Sequence, residues 1–172
     1  MLDLALAIPR VVIGLFFVGH GAQKLFGWFG GHGLSGTSGY FASLGIRPAK
    51  PLALLVGIAE LAGGLGLTLG LATPIAAATI TTVMLGAIAF AHWPRVWVAE
   101  GGFEYPVVAM SVAALFGLVG PGAHALDRVL GIAMPMPETY VAGLLVGIVL
   151  VLGALALRDV QARQAASAAR AA

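Results

Sequence analysis

Long apolar stretches alternate with short polar or Gly- and Pro-rich breaks along most of this chain. A helix rises about 1.5 Å per residue, so roughly 20 apolar residues cross the ~30 Å hydrocarbon core of a bilayer. The pattern therefore predicts five helices, at about residues 4–28, 51–71, 74–93, 103–119 and 139–157. The fourth is short, so we expect it to begin near Gly102 or to cross a thinned region of the bilayer.

The breaks between these stretches predict the connections. Thr73-Pro74 indicates a tight hairpin between the second and third helices. Residues 30–39, rich in Gly and Ser, are interpreted as a flexible polar loop. Residues 1–157 are expected to form one transmembrane domain, and residues 158–172, polar and Ala-rich, are expected to be a frayed helix or disordered.

Composition assigns the chain to a class. Of 172 residues, 60% are hydrophobic and 9% charged, and the mean hydropathy is +1.01, whereas soluble domains carry about 25% charged residues. We therefore predict an all-α membrane protein, an antiparallel bundle of four transmembrane helices plus an extra fifth C-terminal helix. The absence of cysteine excludes disulfides and Cys-ligated metals within the chain. A net charge of +2 gives no reason to expect a nucleic-acid partner.

Basic residues predict the orientation. We call the side of the N-terminus side A and the opposite side side B. Most of the basic residues outside the apolar stretches fall on side B: Arg47, Lys50, Arg95, Arg158, Arg163 and Arg170. Side B is therefore predicted to be cytoplasmic, in a multi-pass protein of the plasma (inner) membrane whose C-terminus is cytoplasmic. Asp3, and the lack of Lys or Arg before Arg10, argue against a cleaved signal peptide.

Ionisable residues inside the apolar stretches are the strongest functional signal, because each costs about 2.5–3.5 kcal/mol to insert in a bilayer. Helical rise places His20 and Glu60 at a similar depth, roughly 12–13 Å from side B. Arg10 lies further toward side A, with a side chain long enough to point back toward Glu60. These residues form a predicted mid-membrane layer.

A second layer is predicted at the side-B mouth. It contains Lys24, His92 and Glu104, with Tyr105 nearby and Gln23 adjacent to the helix face that His20 and Lys24 share. Aromatic residues gather at the same boundary and indicate an interfacial belt or a surface on which a quinone ring stacks: Trp28, Phe29, Tyr40, Trp93 and Trp97. The alternative interpretation is that these polar residues have a structural role only. Buried ion pairs also hold helices together, and Lys and Glu are tolerated near the ends of membrane helices, where their side chains reach the interface.

Three motifs occur in order and resemble the DoxX family of small bacterial membrane proteins. They are RVVIGLFFVGHGAQKLFGWFGGHGLSGTSGYFASLG, VGIAELAGGLGLTLGLATPIAA and GGFEYPVVAMSVAALFGLVGPGAHALD. The resemblance covers residues 8–127 and implies a four-helix bundle, beyond which the fifth helix and the tail extend. It also implies a link to membrane oxidoreductases, because DoxX-like proteins are similar to a subunit of an archaeal thiosulfate:quinone oxidoreductase.

The resemblance and the polar layers together give the candidate site. Glu60 and His20 are the expected catalytic residues. The expected substrate-binding residues are Arg10, Gln23, Lys24, His92, Glu104, Tyr105 and Trp28. No metal site and no haem, flavin or iron–sulfur motif is recognised, so electrons would come from a partner protein. The cofactor stays open, with a quinone as one candidate.

Three functions remain open at this stage. The first is a quinone-binding membrane subunit of an oxidoreductase complex that receives electrons from a soluble redox protein. The second is a non-catalytic scaffold that anchors redox partners through residues 29–50. The third is a small proton-coupled carrier, although no inverted repeat supports it. The bilayer is a partner in each case, and Gly66 and Gly70 allow close packing in the bundle or in a homo-oligomer.

Overall fold

A computed structural model describes residues 2–171, and within that range the chain is helical with no strand. The α-helices are α1 (Leu2–Phe26), α2 (Gly33–Ser43), α3 (Ala49–Leu69), α4 (Thr73–Ala87), α5 (Glu104–Val119), α6 (Leu126–Val129) and α7 (Glu138–Ala171). A π-helical turn, Ile88–His92, extends α4, and a 3-10 turn, Val98–Glu100, lies in the loop before α5.

Within this part of the chain, four helices are long and apolar enough to cross a membrane, and α5 is a shorter apolar helix. The four are Asp3–Phe26, Ala49–Leu69, Thr73–His92 and Glu138–Ala171. Because α5 has only 16 residues, the expectation of a short fourth span agrees with the structure. The predicted fold, a bundle of membrane helices with an extra C-terminal helix, is confirmed, and the chain is a multi-pass membrane protein.

α4 is the central helix of the bundle, because it packs against α3, α5 and α7. The core around it includes the fully buried Phe17, Leu67, Ile80 and Phe116. α1 packs along α3, and this contact depends on glycine. A Cβ built on Gly64 would lie 2.6 Å from the backbone nitrogen of Val18, so the two helices approach too closely for any side chain there.

α7 packs on α4 through a second glycine contact. A Cβ added at Gly143 would lie 2.9 Å from the Cβ of Ala78, and one added at Gly147 would overlap the hydroxyl of Thr82. Small residues at such contacts let membrane helices approach closely and gain dispersion energy. α7 is therefore part of the bundle and not a separate appendage.

The interpretation of residues 30–39 as a flexible loop is wrong, because most of this segment belongs to α2. Gly and Ser have low helix propensity, so local sequence does not favour a helix here. Tertiary contacts provide the stability: α2 packs against α1 and α3, and buried Thr37 donates a hydrogen bond to the carbonyl of Lys24 (3.3 Å).

Of the two alternatives for the tail, the helix agrees with the structure and disorder does not, because α7 continues without a break to Ala171. Alanine has the highest intrinsic helix propensity, which explains why the polar segment stays helical. The 34 residues of α7 span about 50 Å, more than the ~30 Å hydrocarbon core. Its last turns therefore extend beyond the membrane on side B.

Candidate functional site

An ion pair between Lys24 on α1 and Glu60 on α3 lies at the centre of the candidate site. The Lys24 ammonium is 2.9 Å from Oε1 and 2.7 Å from Oε2 of Glu60. The Glu60 side chain is 3% exposed and that of Lys24 26%. Since burying an unpaired carboxylate is costly, the ammonium stabilises the charged form of Glu60.

The predicted separation of Lys24 from the mid-membrane layer is wrong. A Cβ added at Gly57 would lie 3.4 Å from the Cβ of Lys24. The Lys24 backbone is thus level with Gly57, about one helical turn from Glu60. The long lysine side chain extends over that turn toward the bilayer centre, so Lys24 of the predicted mouth layer joins Glu60 of the mid-membrane layer.

His20 connects α1 to α5 beside this ion pair. Its Nε2 lies 3.3 Å from the Tyr105 hydroxyl, and its Nδ1 lies 3.1 Å from Oε1 of Gln23. The amide nitrogen of Gln23 in turn donates to the carbonyl of Phe29 (3.2 Å). With this amide orientation Nδ1 carries the proton, and Nε2 can accept a hydrogen bond from Tyr105.

A cavity of about 700 Å³ opens beside the cluster, within the range of about 300–1,000 Å³ that is common for small-molecule sites. Its floor is one face of α4, its walls are α3 and α7, and α2 covers part of its side-B end. Most of its lining is apolar, including Leu55, Val83, Phe90, Val146 and Leu150. Polar side chains of the cluster line it at one place: His20, Lys24, Glu60 and Tyr105.

His92 lines the same cavity from the π-helical turn at the end of α4. Its Nδ1 lies 2.8 Å from the carbonyl of Gly101 in the loop before α5, so it donates there. π-helical turns inside α-helices occur frequently at functional sites. The structure therefore brings His92 to the cavity, as the sequence predicted, although not into contact with Lys24.

Arg10 does not reach Glu60, and that expectation is wrong. Its buried guanidinium donates to the carbonyls of Leu67, Thr68 and His124 at the side-A end of the bundle. These acceptors include the last-turn carbonyls of α3, which have no partners within their own helix. Arg10 thus caps the C-terminal end of α3, and it does not line the cavity.

Glu104 and Trp28 also lie away from the cavity lining. Glu104 is in the first turn of α5, where a carboxylate interacts favourably with the helix dipole. Trp28 is exposed and packs against Phe26 and Phe29, with ring centroids 5.1 and 6.4 Å away.

Gln23 lines a smaller cavity of about 280 Å³ on the other side of His20. Within residues 2–171, no group of three His, Asp or Glu side chains could hold a metal ion.

Sequence reasoning missed Asp127, the partner of the hairpin between α3 and α4. Its carboxylate accepts hydrogen bonds from the backbone nitrogens of Ala72 (2.7 Å) and Thr73 (3.0 Å) and from the Thr73 hydroxyl (2.8 Å). A carboxylate at this position caps the N-terminus of α4. Because Asp127 is 54 residues from Thr73 along the chain, no local capping signal in the sequence reveals it.

The comparisons with known proteins agree with this architecture. The sequence model of the DoxX family matches residues 5–93, which include most of α1 and all of α2, α3 and α4. A curated protein of Bacillus subtilis (strain 168), named "Putative oxidoreductase CatD", is 27% identical over 125 residues, which cover 73% of this chain and 86% of that protein. No solved structure matches the chain. The family match includes more than half of the sequence and all the helices around Glu60 except α5 and α7, so the chain belongs to the DoxX family.

Proposed function

We propose that this protein is a membrane subunit of an oxidoreductase complex and that it binds a quinone in the cavity between α3, α4 and α7. The observation that carries the proposal is the position of the Lys24–Glu60 pair, His20 and Tyr105 on a cavity whose lining is mostly apolar. An apolar site with a few convergent polar groups suits a ligand whose head is polar and whose remainder is not. The printed name of the relative from Bacillus subtilis, "Putative oxidoreductase CatD", supports the reaction class.

The polar groups of the cluster suit the proton chemistry of a quinone. Reduction of a quinone to a quinol adds two electrons and two protons, one proton to each ring oxygen. The Lys24 ammonium and the Tyr105 hydroxyl are hydrogen-bond donors that can hold a ring oxygen. Glu60 and His20 are the groups that can pass protons to it. We propose that the two electrons come from a soluble redox protein bound on side B.

We also propose that side B faces the cytoplasm, in the plasma membrane of the cell. The support is the excess of Arg and Lys in the loops and helix end on that side. A redox protein of the cytoplasm would then meet the end of the bundle at which His92 and the end of α7 lie. Reaction of a single cysteine introduced at exposed Glu100 with an impermeant thiol reagent tests the orientation, since the chain has no other cysteine.

Equilibrium binding tests the site. Wild-type protein in lipid nanodiscs is titrated with decylubiquinone, beside Glu60→Gln and the matched control Glu100→Gln, whose residue lies exposed in the side-B loop. We expect Glu60→Gln to weaken binding by about tenfold or more, because the neutral amide no longer holds the Lys24 ammonium at the cavity. Glu100→Gln should bind like wild type. Equal affinity of a folded Glu60→Gln protein and wild type would contradict the proposal.

A scaffold that anchors redox partners is the second candidate, and the length of α7 favours it. Its last turns extend beyond the bilayer on side B and carry Arg163 and Arg170, so they are available to a soluble protein. A scaffold would need no ligand in the cavity. Recovery of a soluble partner with the purified protein, together with no quinone binding in the titration, would favour this function.

A further inference from the structure

We infer that the cavity is loaded from the bilayer through a lateral slit between α3 and α7, so that its ligand is a membrane-dissolved quinone with a long apolar tail. The inference rests on the proposed function and adds the class of quinone and the residues that select it. It follows from where the cavity is open, where it is obstructed and which part of the chain forms its walls.

The open side of the cavity faces lipid. Leu55 on α3 and Val146 and Leu150 on α7 line the cavity and are also exposed at the surface of the protein. α3 and α7 both pack on α4, which lies between them as the floor. The opening is thus a slit with apolar edges that belong to two membrane-spanning helices, and only lipid-soluble molecules reach such an opening.

The length of the slit suits an extended tail. The lining residues of α4 and of the π-helical turn that extends it recur at helical spacing, at Ile75, Thr79, Thr82, Gly86 and Phe90, so they occupy one face. The 15 steps of helical rise from Ile75 to Phe90 cover about 22 Å. Gly63, which follows Glu60 by about one helical turn on α3, packs on Ile80 of α4. Glu60 therefore lies near the middle of this length. A ring at Glu60 therefore leaves room for a tail along the apolar floor.

Arg158 contacts two neighbouring elements at the side-B end of the bundle. Its guanidinium lies over the ring of Phe90, 5.2 Å from the ring centroid. Its aliphatic part also reaches Gly45, where an added Cβ would lie 3.4 Å from Cγ. Arg158 thus connects α7, the end of α4 and the turn before α3 at side B. This bridge obstructs the side-B end between α4 and α7, so the inferred route of entry is the slit.

The wall that α7 provides lies outside the part of the chain that the family model matches, which ends at residue 93. Gly143, Val146, Gly147, Leu150 and Ala154 occupy one face of α7 and line the cavity. The polar cluster comes from α1, α3 and α5, so α7 contributes no polar group to it. We infer that α7 determines which tail is accepted, while the cluster holds the ring.

Substitutions that narrow the slit test this inference, and each has a matched control on the same helix. Val146→Phe is compared with Val149→Phe, because the two valines are 61% and 67% exposed and only Val146 lines the cavity. Leu55→Phe is compared with Ile58→Phe on α3 for the same reason. The probes are decylubiquinone and 2,3-dimethoxy-5-methyl-benzoquinone, which has the same ring type and no tail. Both are titrated into nanodiscs of constant composition.

We expect Val146→Phe and Leu55→Phe to weaken binding of decylubiquinone by about tenfold, since an added ring occupies the space of the tail. They should change binding of the tail-less quinone much less, and the two control variants should bind both quinones like wild type. Equal effects of the slit and control variants, or equal losses for both quinones, would overturn the inference and leave the proposed function intact. Failure of wild type to bind either quinone would overturn the proposed function itself.

Discussion

Removal of the Lys24 ammonium should strongly destabilise the bundle, because it leaves the carboxylate of Glu60 buried without a cation. Loss of one partner of a buried ion pair costs about 3–5 kcal/mol. Lys24 is partly exposed, with 26% of its side chain accessible, so some water reaches the pair. We therefore expect Lys24→Met to lower the free energy of unfolding by about 3 kcal/mol, the low end of that range.

The double variant makes this a test of the ion pair itself. In Lys24→Met/Glu60→Gln no charge is left buried, so it should recover about 2 kcal/mol relative to Lys24→Met, a coupling typical of residues in contact. Lys50→Met makes the same chemical change at a lysine that forms no ion pair within residues 2–171. It should stay within about 0.5 kcal/mol of wild type.

Unfolding by sodium dodecyl sulfate in mixed micelles, followed by circular dichroism, measures these free energies for wild type, both single variants of the pair, the double variant and Lys50→Met. The reasoning is refuted if Lys24→Met costs less than about 1 kcal/mol, the level of an exposed pair. It is also refuted if the double variant is as unstable as the sum of the two single variants, because the side chains would then not be coupled.

Two further predictions concern helix packing and capping. Asp127→Ala should lower the free energy of unfolding by about 2–3 kcal/mol in the same assay. The substitution removes the cap of α4 and leaves the buried Thr73 hydroxyl without its acceptor. A loss under about 0.5 kcal/mol would contradict the importance of this cap. Gly147→Ala should cost about 1–3 kcal/mol through overlap with Thr82. Gly153→Ala, on the same helix with open space around it, should be neutral or stabilising by up to about 1 kcal/mol, and equal effects of the two alanines would contradict the packing of α7 on α4.

The membrane helices can be predicted from the sequence because each consists of a continuous apolar stretch of sufficient length. α2 cannot, since its run of glycine, serine and threonine carries no helical signal, and its stability comes from contacts such as that of Thr37 with α1. The continuation of α7 to Ala171 is left open by the sequence for the opposite reason. The polarity of that segment suggests disorder, whereas alanine propensity decides its conformation.

The candidate site can be predicted in part. Helical rise along antiparallel helices places His20 and Glu60 at one depth, and both line the cavity. Rise alone does not give the direction of a long side chain, so it places Lys24 too near the interface and Arg10 too near Glu60. The position of α7 at the cavity depends on the rotation of this helix about its axis and on the contact of Gly147 with α4. The spacing of residues along one helix predicts neither.

The quinone content of the protein as it leaves the membrane tests the central claim most directly. Wild type, Glu60→Gln and Glu100→Gln are purified gently in parallel, and their lipid extracts are analysed by mass spectrometry for quinone per mole of protein. The account predicts near-stoichiometric quinone in wild type and Glu100→Gln and its loss from Glu60→Gln. Absence of quinone from all three folded proteins, or equal amounts in all three, would contradict a quinone site at the Lys24–Glu60 pair.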